Sequence, residues 1–203
     1  MFLKHLTIEK NGELVRKIDF KLGVNLIVDT TESSDDETES GNNVGKTTVL
    51  NLVDYCLGGK EKAIYEDPEF KTQNSAVKSF LKDNNVIITL SLGKSFENSN
   101  DDVILKRNFL QRTKKVSTIN GDNYSNNTEY CRKLGELLFD YSSAKPSFRQ
   151  LIPRFIRNDS RKMDRVIKYL HDTTSDNDYE GIYFFLFVGE TPVTELSSEK
   201  EGN

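Results

Sequence analysis

The sequence predicts an α/β fold organised around a phosphate-binding loop, with an antiparallel β subdomain and a helical extension. Three observations lead there. A hairpin pattern at the N-terminus precedes the octet Ser40-Gly41-Asn42-Asn43-Val44-Gly45-Lys46-Thr47, which approaches the pattern G-x-x-x-x-G-K-[ST]. Strand-like runs follow between residues 86 and 119. From residue 128 onward, apolar positions recur at helical spacing.

The elements follow in chain order. Phe2 to Ile8 alternates, Asn11-Gly12 is a two-residue turn signal, and Glu13 to Phe20 alternates again, so a β-hairpin is expected. Gly23 breaks the chain before Val24 to Val28, an apolar run of the kind that lies buried in a sheet centre. Residues 30 to 39 are Thr, Ser, Asp and Glu only and have nothing to bury, so they read as a solvated insertion upstream of the loop. From Lys46, Val49, Leu52, Val53 and Cys56 share a helix face flanked by Leu50 and Leu57, and Gly58-Gly59 is a natural stop.

A second helix is expected over Gln73 to Lys82. Val86 to Leu92, Val103 to Phe109 and Val116 to Ile119 read as a β meander within 86 to 120, with Asn120-Gly121 as a turn. Helices are expected over Thr128 to Tyr141, Ser147 to Ile156, Arg161 to His171 and Tyr179 to Val188, the last as a buried helix. Residues 1 to 188 thus form one lobe, and 189 to 203 read as a polar tail, a linker or the start of a coiled coil.

Composition excludes several classes. With 203 residues and 35% hydrophobic positions, the chain can build an ordinary domain core. No apolar run approaches the ~20 residues that span a bilayer, and MFLKHLTIEK lacks the pattern of a signal peptide, so a cytoplasmic location is expected. Cys56 and Cys131 are too few for a disulfide framework and read as buried thiols. His5 and His171 stand apart and carry no metal or triad spacing.

The net charge of -4 argues against a general nucleic-acid coat, yet it hides an uneven distribution. Arg154, Arg157, Arg161, Lys162, Arg165 and Lys168 recur at spacings that suit a helix face tracking a DNA backbone. The same spacing also fits a solvated face or intramolecular ion pairs.

The octet carries the chemistry. Consecutive backbone N–H groups in such a loop curl around phosphates, and the following helix adds its N-terminal dipole. Ser40 stands where the pattern has Gly; Gly41 serves the turn one place later, and Asn43 tolerates left-handed backbone. Ser40, Gly41, Asn42, Asn43 and Val44 would form the cradle. Lys46 would neutralise the outer phosphates of ATP, Thr47 would ligate Mg²⁺, and Thr48 and the Gly45 amide would hold the inner phosphates. The alternative is a glycine-containing turn that only caps a helix.

The order FLKHLTIEKNGELVRKIDFKLGVNLIVD, then NNVGKTTVLNLVDYCLGG, VILKRNF, STINGDNY and EYCRKLGELLFD resembles the N-terminal half of the ABC-type ATPase heads of SMC, RecF and RecN proteins over about residues 1 to 155. Within that group, SGNNVGKTTVLNLVDYCLGG is similar to a bacterial subfamily of SMC-like ATPases with a coiled-coil insert, found in three-component ABC-type defence systems.

The resemblance implies an ATP-Mg²⁺ site and a homodimer of heads in a DNA-associated complex of defence or repair. It also implies a glutamine about a hundred residues after Lys46 that reaches Mg²⁺ and the attacking water. Gln150 has that place, where a plain helix-surface glutamine also fits, and Arg16 of the hairpin would approach the phosphates, where a solvated arginine fits as well. The family's Ser-Gly-Gly signature and its Walker B strand ending in Asp-Glu do not occur in these residues, and Leu57-Gly58-Gly59 is better explained as a helix stop. A complementary C-terminal head half is therefore implied. Two other readings remain: a small self-contained P-loop NTPase or kinase, for which no acidic residue at a strand end is found, and a nucleotide-gated interaction module without hydrolysis.

Overall fold

A computed structural model describes residues 1 to 28, 46 to 67, 70 to 141, 144 to 158 and 160 to 189. The chain divides into two compact units, Met1–Cys131 and Arg132–Asn203. It is mixed α/β, with a six-stranded antiparallel sheet in the first unit.

The sheet begins with β1 (Phe2–Lys10) and β2 (Glu13–Asp19), joined by Asn11 and Gly12 at φ 51° and 88°. Positive φ at both central residues gives the turn the twist that paired strands need. The chain then leaves the sheet through α1 (Lys46–Cys56), α2 (Lys62–Tyr65) and α3 (Ser75–Asp83). It returns as β3 (Val86–Gly93), which pairs with β1 rather than β2, and β4 (Val103–Asn108), β5 (Ser117–Ile119) and β6 (Asp122–Asn123) complete the order β2-β1-β3-β4-β5-β6. The short β6 follows a second Asn-Gly turn, with Asn120 and Gly121 at φ 51° and 94°.

Register sets the core. Leu6 faces Leu90 and Ile8 faces Ile88, while β4 places Leu105 opposite Leu90 and Arg107 opposite Ile88. Directly opposed residues point to the same side of a sheet. One face therefore carries Leu6, Ile88, Leu90, Leu105 and Ile119, all at most 2% exposed, and against it packs α1. From α1 come Leu52, Val53 and Cys56, followed by Leu57 just past its end, each buried, whereas Leu50 is exposed.

One sequence expectation in the first unit is revised. Val24 to Val28 is neither a strand nor buried: Val24 and Leu26 are 85% and 80% exposed, and Val28 68%. Locally, the Asn25 carboxamide accepts from Lys21 N and donates to the Lys21 and Gly23 carbonyls, closing a side-chain-stabilised turn instead of a ladder. The acidic insertion, residues 30 to 39, lies outside the described residues.

In the second unit, α4 (Asn127–Phe139, begun in the first), α5 (Phe148–Leu151), α6 (Ser160–Asp164) and α7 (Asp176–Val188) are the helices among the described residues. Its core gathers Tyr141, Leu151, Tyr169, Tyr179, Ile182 and Phe185. The helix expected over Arg161 to His171 stops at Asp164. Beyond it the backbone is held by side chains: Arg154 donates to Val166 O, Tyr183 to Ile167 O, and Tyr179 OH accepts from Leu170 N. Those bonds satisfy polar groups that a helix would otherwise have paired. The helix expected over Tyr179 to Val188 begins earlier, at Asp176, and is only partly buried, since Phe187 is 83% exposed. No described helix is long and apolar enough to cross a membrane.

The α1 stop explains one glycine in full. Gly58 takes φ 84° and donates to Tyr55 O, and Gly59 N donates to Asp54 O at 2.8 Å, which is a Schellman turn. A Cβ on Gly59 would lie 2.7 Å and 2.9 Å from the backbone O and C of Asp54. Gly59→Ala is therefore expected to lower the unfolding free energy by roughly 1–3 kcal/mol, read as a reduced urea midpoint with unchanged slope.

Candidate functional site

The candidate site is the helix that the loop octet feeds, together with the groups that fix it. Lys46 is the first residue of α1, Thr47 follows it in an exposed position, and Thr48 is half-buried. Ser40, Gly41, Asn42, Asn43, Val44 and Gly45 lie outside the described residues, as does the side chain of Lys46. Among the described residues, no group of three or more His, Cys, Asp or Glu could hold a metal ion.

Arg16, on the edge strand β2, is exposed and stands opposite Ile8, which puts it on the sheet face that α1 covers. Gln150 belongs to the second unit. Its side-chain oxygen accepts from Ser147 N at 2.7 Å, the return half of a capping box at the start of α5. The structure thus gives that glutamine a local task, and Tyr169 OH adds a bond to its backbone carbonyl.

Arg154, Arg157, Arg161, Lys162, Arg165 and Lys168 do not share one helix. Arg165 pairs with Asp172, Lys168 with Asp176 at 2.6 Å, and Arg154 is spent on the Val166 carbonyl. The Asp176 hydrogen bond raises the Lys168 pKa.

Sequence reasoning missed the group that fixes α1. Arg107 on β4 is 5% exposed, on the apolar face between Leu105 and the end of α1. One guanidinium nitrogen donates to Tyr55 O at 2.5 Å and to Gly59 O at 3.3 Å, and the other to Asn127 Oδ1 at 3.2 Å. Two rings flank the cation, Tyr55 at 4.2 Å and Tyr130 at 5.2 Å from their centroids. Asn127 Nδ2 donates to Gly58 O, and Tyr130 OH donates to Cys56 O at 2.7 Å.

The last carbonyls of α1 thus meet one cation and two neutral donors. These are groups that a helix leaves without intrahelical partners, at the negative end of its dipole. Tyr55 OH in turn donates to the Asn108 carbonyl, and its ring stacks on Phe109 at 4.8 Å. Arg107 Nε is buried and unpartnered, which costs about 1–3 kcal/mol. A signal was present: Val103, Leu105 and Arg107 share one strand parity, so a charged residue sits in an apolar series.

Burial also governs the titratable groups here. It pushes the Cys56 thiol up to about 12 against the opposing pull of Arg107, and it raises Tyr55 and Tyr130 as well. Cys56 therefore stays protonated and inert at neutral pH. No family model matches this chain, and no curated protein matches it either.

Two outcomes test the clamp. Arg107→Lys keeps a cation but loses the planar fork, and is expected to lower the unfolding free energy by roughly 2–4 kcal/mol in chemical denaturation, reflecting lost charge-assisted bonds. For Cys56, the native pKa of about 12 lies above the ordinary thiol value of 9.0, so the unfolded chain releases its proton first as pH rises. The stabilisation is complete below pH 9 and is lost progressively toward 12. The urea midpoint should fall across that window, and less steeply in Cys56→Ala.

Proposed function

We propose that the chain is the ATP-binding N-terminal lobe of an SMC-like, ABC-type ATPase head with a P-loop fold. It engages ATP-Mg²⁺ for head dimerisation within a DNA-associated complex of defence or repair. The observation that carries this reading is the position of Lys46 as the opening residue of an amphipathic helix whose far end is pinned to a sheet. A loop lysine at a helix N-terminus has the backbone donors and the dipole that a phosphate needs. Thr47, exposed beside it, has the hydroxyl that Mg²⁺ takes in such loops. Ser40 to Thr48 would hold the nucleotide, with Arg16 reaching the phosphates from the edge strand. Gln150 would act in catalysis only after leaving its cap on Ser147.

The exposed run Val24 to Val28 supports the need for a complementary half. An apolar segment with Leu26 80% exposed suits docking against a complementary half of the head. That half would also bring the signature and Walker B residues, and without its carboxylate the chain alone turns over slowly. DNA association and defence rest on the sequence resemblance. A second reading, a nucleotide-gated interaction module, draws on the same exposed run, since ATP binding there would favour a partner's docking without hydrolysis.

Calorimetric titration with ATP-Mg²⁺, run beside a phosphate-release assay on the same sample, tests the proposal. Saturable binding with negligible turnover is expected, weakened at least about tenfold in Lys46→Ala, as loss of a charge-assisted contact requires. Rapid turnover by the isolated chain would move the assignment to a self-contained NTPase, and absence of binding would remove the nucleotide altogether.

A further inference from the structure

Beyond the C-terminal end of α1, the first unit opens into two adjoining cavities of about 830 Å³ and 330 Å³ that share Glu61, Leu110 and Lys115. The combined space suits a small ligand. Its walls come from the α1–α2 junction, the segment after β4 and the segment after β6. An eleven-residue helix is about 16 Å long, so the cleft stands well away from Lys46.

The cleft is cationic in a chain of net charge -4. Lys60, Lys62, Arg112 and Lys115 line its walls, and Arg107 lines the smaller, inner cavity. Glu61 is the one carboxylate among the lining residues, and it is already engaged by Lys82 Nζ at 3.1 Å and by Tyr65 OH at 3.0 Å. Lys62 has a single distant partner, Glu66 at 4.0 Å. Among the described residues, Lys60, Arg112 and Lys115 have no ion pair.

The α1 carbonyls do not oppose an anion here, because Arg107, Asn127 and Tyr130 already take those of Tyr55, Gly58, Gly59 and Cys56. What remains is the field of the four wall cations, with a buried arginine behind them whose Nε has no partner. Arg112 also holds φ 56°, a left-handed conformation uncommon in a non-glycine residue and frequent where a side chain is aimed at a ligand. Tyr124 contributes a half-buried ring to the same wall, beside Thr113 and Ser125 hydroxyls.

We propose that this cleft binds a small phosphate-bearing molecule of mononucleotide size. Arg112, Lys115 and Lys60 receive the phosphate, and Tyr124 offers its ring to a planar group. Cations supply the affinity, and the ring supplies the preference over inorganic phosphate. The site stands independently of the loop at Lys46, so either can fail without the other.

The full chain carrying Lys46→Ala, which takes away the loop lysine, is titrated calorimetrically with AMP, adenosine, inorganic phosphate and a single-stranded oligonucleotide. AMP is expected to bind saturably, with adenosine and inorganic phosphate each at least about tenfold weaker. Adding Arg112→Ala and Lys115→Ala should weaken AMP at least about tenfold, as should Lys60→Glu on the opposite lip, with melting temperatures unchanged. Equal affinity for AMP and adenosine, AMP binding that none of these variants alters, or saturable binding by the oligonucleotide alone would each overturn the proposal.

Discussion

A single buried cation organises the first unit. Among the described residues, Arg107 enters the core with no carboxylate in its hydrogen-bond shell, and such a charge is stable only where dipoles replace the water it lost. Three oxygens and two aromatic faces do so: the carbonyls of Tyr55 and Gly59, Asn127 Oδ1, and the rings of Tyr55 and Tyr130. The bargain is reciprocal. The end of α1 presents the Tyr55 and Gly59 carbonyls, and the arginine donates to both. Sheet strand, helix end and the start of α4 are therefore fixed by one guanidinium, and moving any of them exposes an unpaired group in the core.

This placement has a directional consequence. The C-terminal end of α1 is pinned by Arg107, by the Schellman turn at Gly58-Gly59 and by Tyr130, while Lys46 and Thr47 open the helix at its other end. A helix held rigidly at one end delivers its other end at a defined height above the sheet, which is what a preorganised anion cradle requires. The opposite situation holds just upstream. Val24 to Val28 presents large apolar side chains to solvent, a cost that is offset only when another surface covers them. On the proposed function, a fixed helix and an uncovered apolar run suit a lobe that a second piece would complete.

Much of this architecture was legible because local signals were strong. Both Asn-Gly turns name their backbone conformation, the meander alternates, and α1 repeats its apolar residues before two glycines. The failures have physical causes. Val24 to Val28 has strand composition, but composition cannot supply a neighbouring ladder, and Asn25 captures the preceding backbone instead. The Arg161 to His171 pattern reads as helical, yet long-range donors and acceptors from Arg154, Tyr179 and Tyr183 claim that backbone. Arg107 was invisible for a related reason: its parity on β4 marks it as inward, but its partners lie as far as 52 residues earlier in the chain. Of the candidate site, the loop octet was legible as a motif and the clamp at the far end of α1 was not.

The distribution of positive charge shows how far linear density departs from available charge. Residues 154 to 168 hold six Lys and Arg at spacings that suit a helix face, and the sequence alone makes that run a natural polyanion surface. In the folded second unit, Arg165 and Lys168 are neutralised by Asp172 and Asp176, and Arg154 is directed to a backbone carbonyl. Lys60 stands 52 positions before Arg112 and 55 before Lys115, and all three line one cleft without an ion pair among the described residues. A charge already matched by a neighbour contributes little to attracting a ligand, because its field is cancelled within a few ångströms. Unmatched charges in a concave wall add their fields instead. The anion-attracting surface of the first unit is thus set by topology, through the same β4 and α1 contacts that bury Arg107.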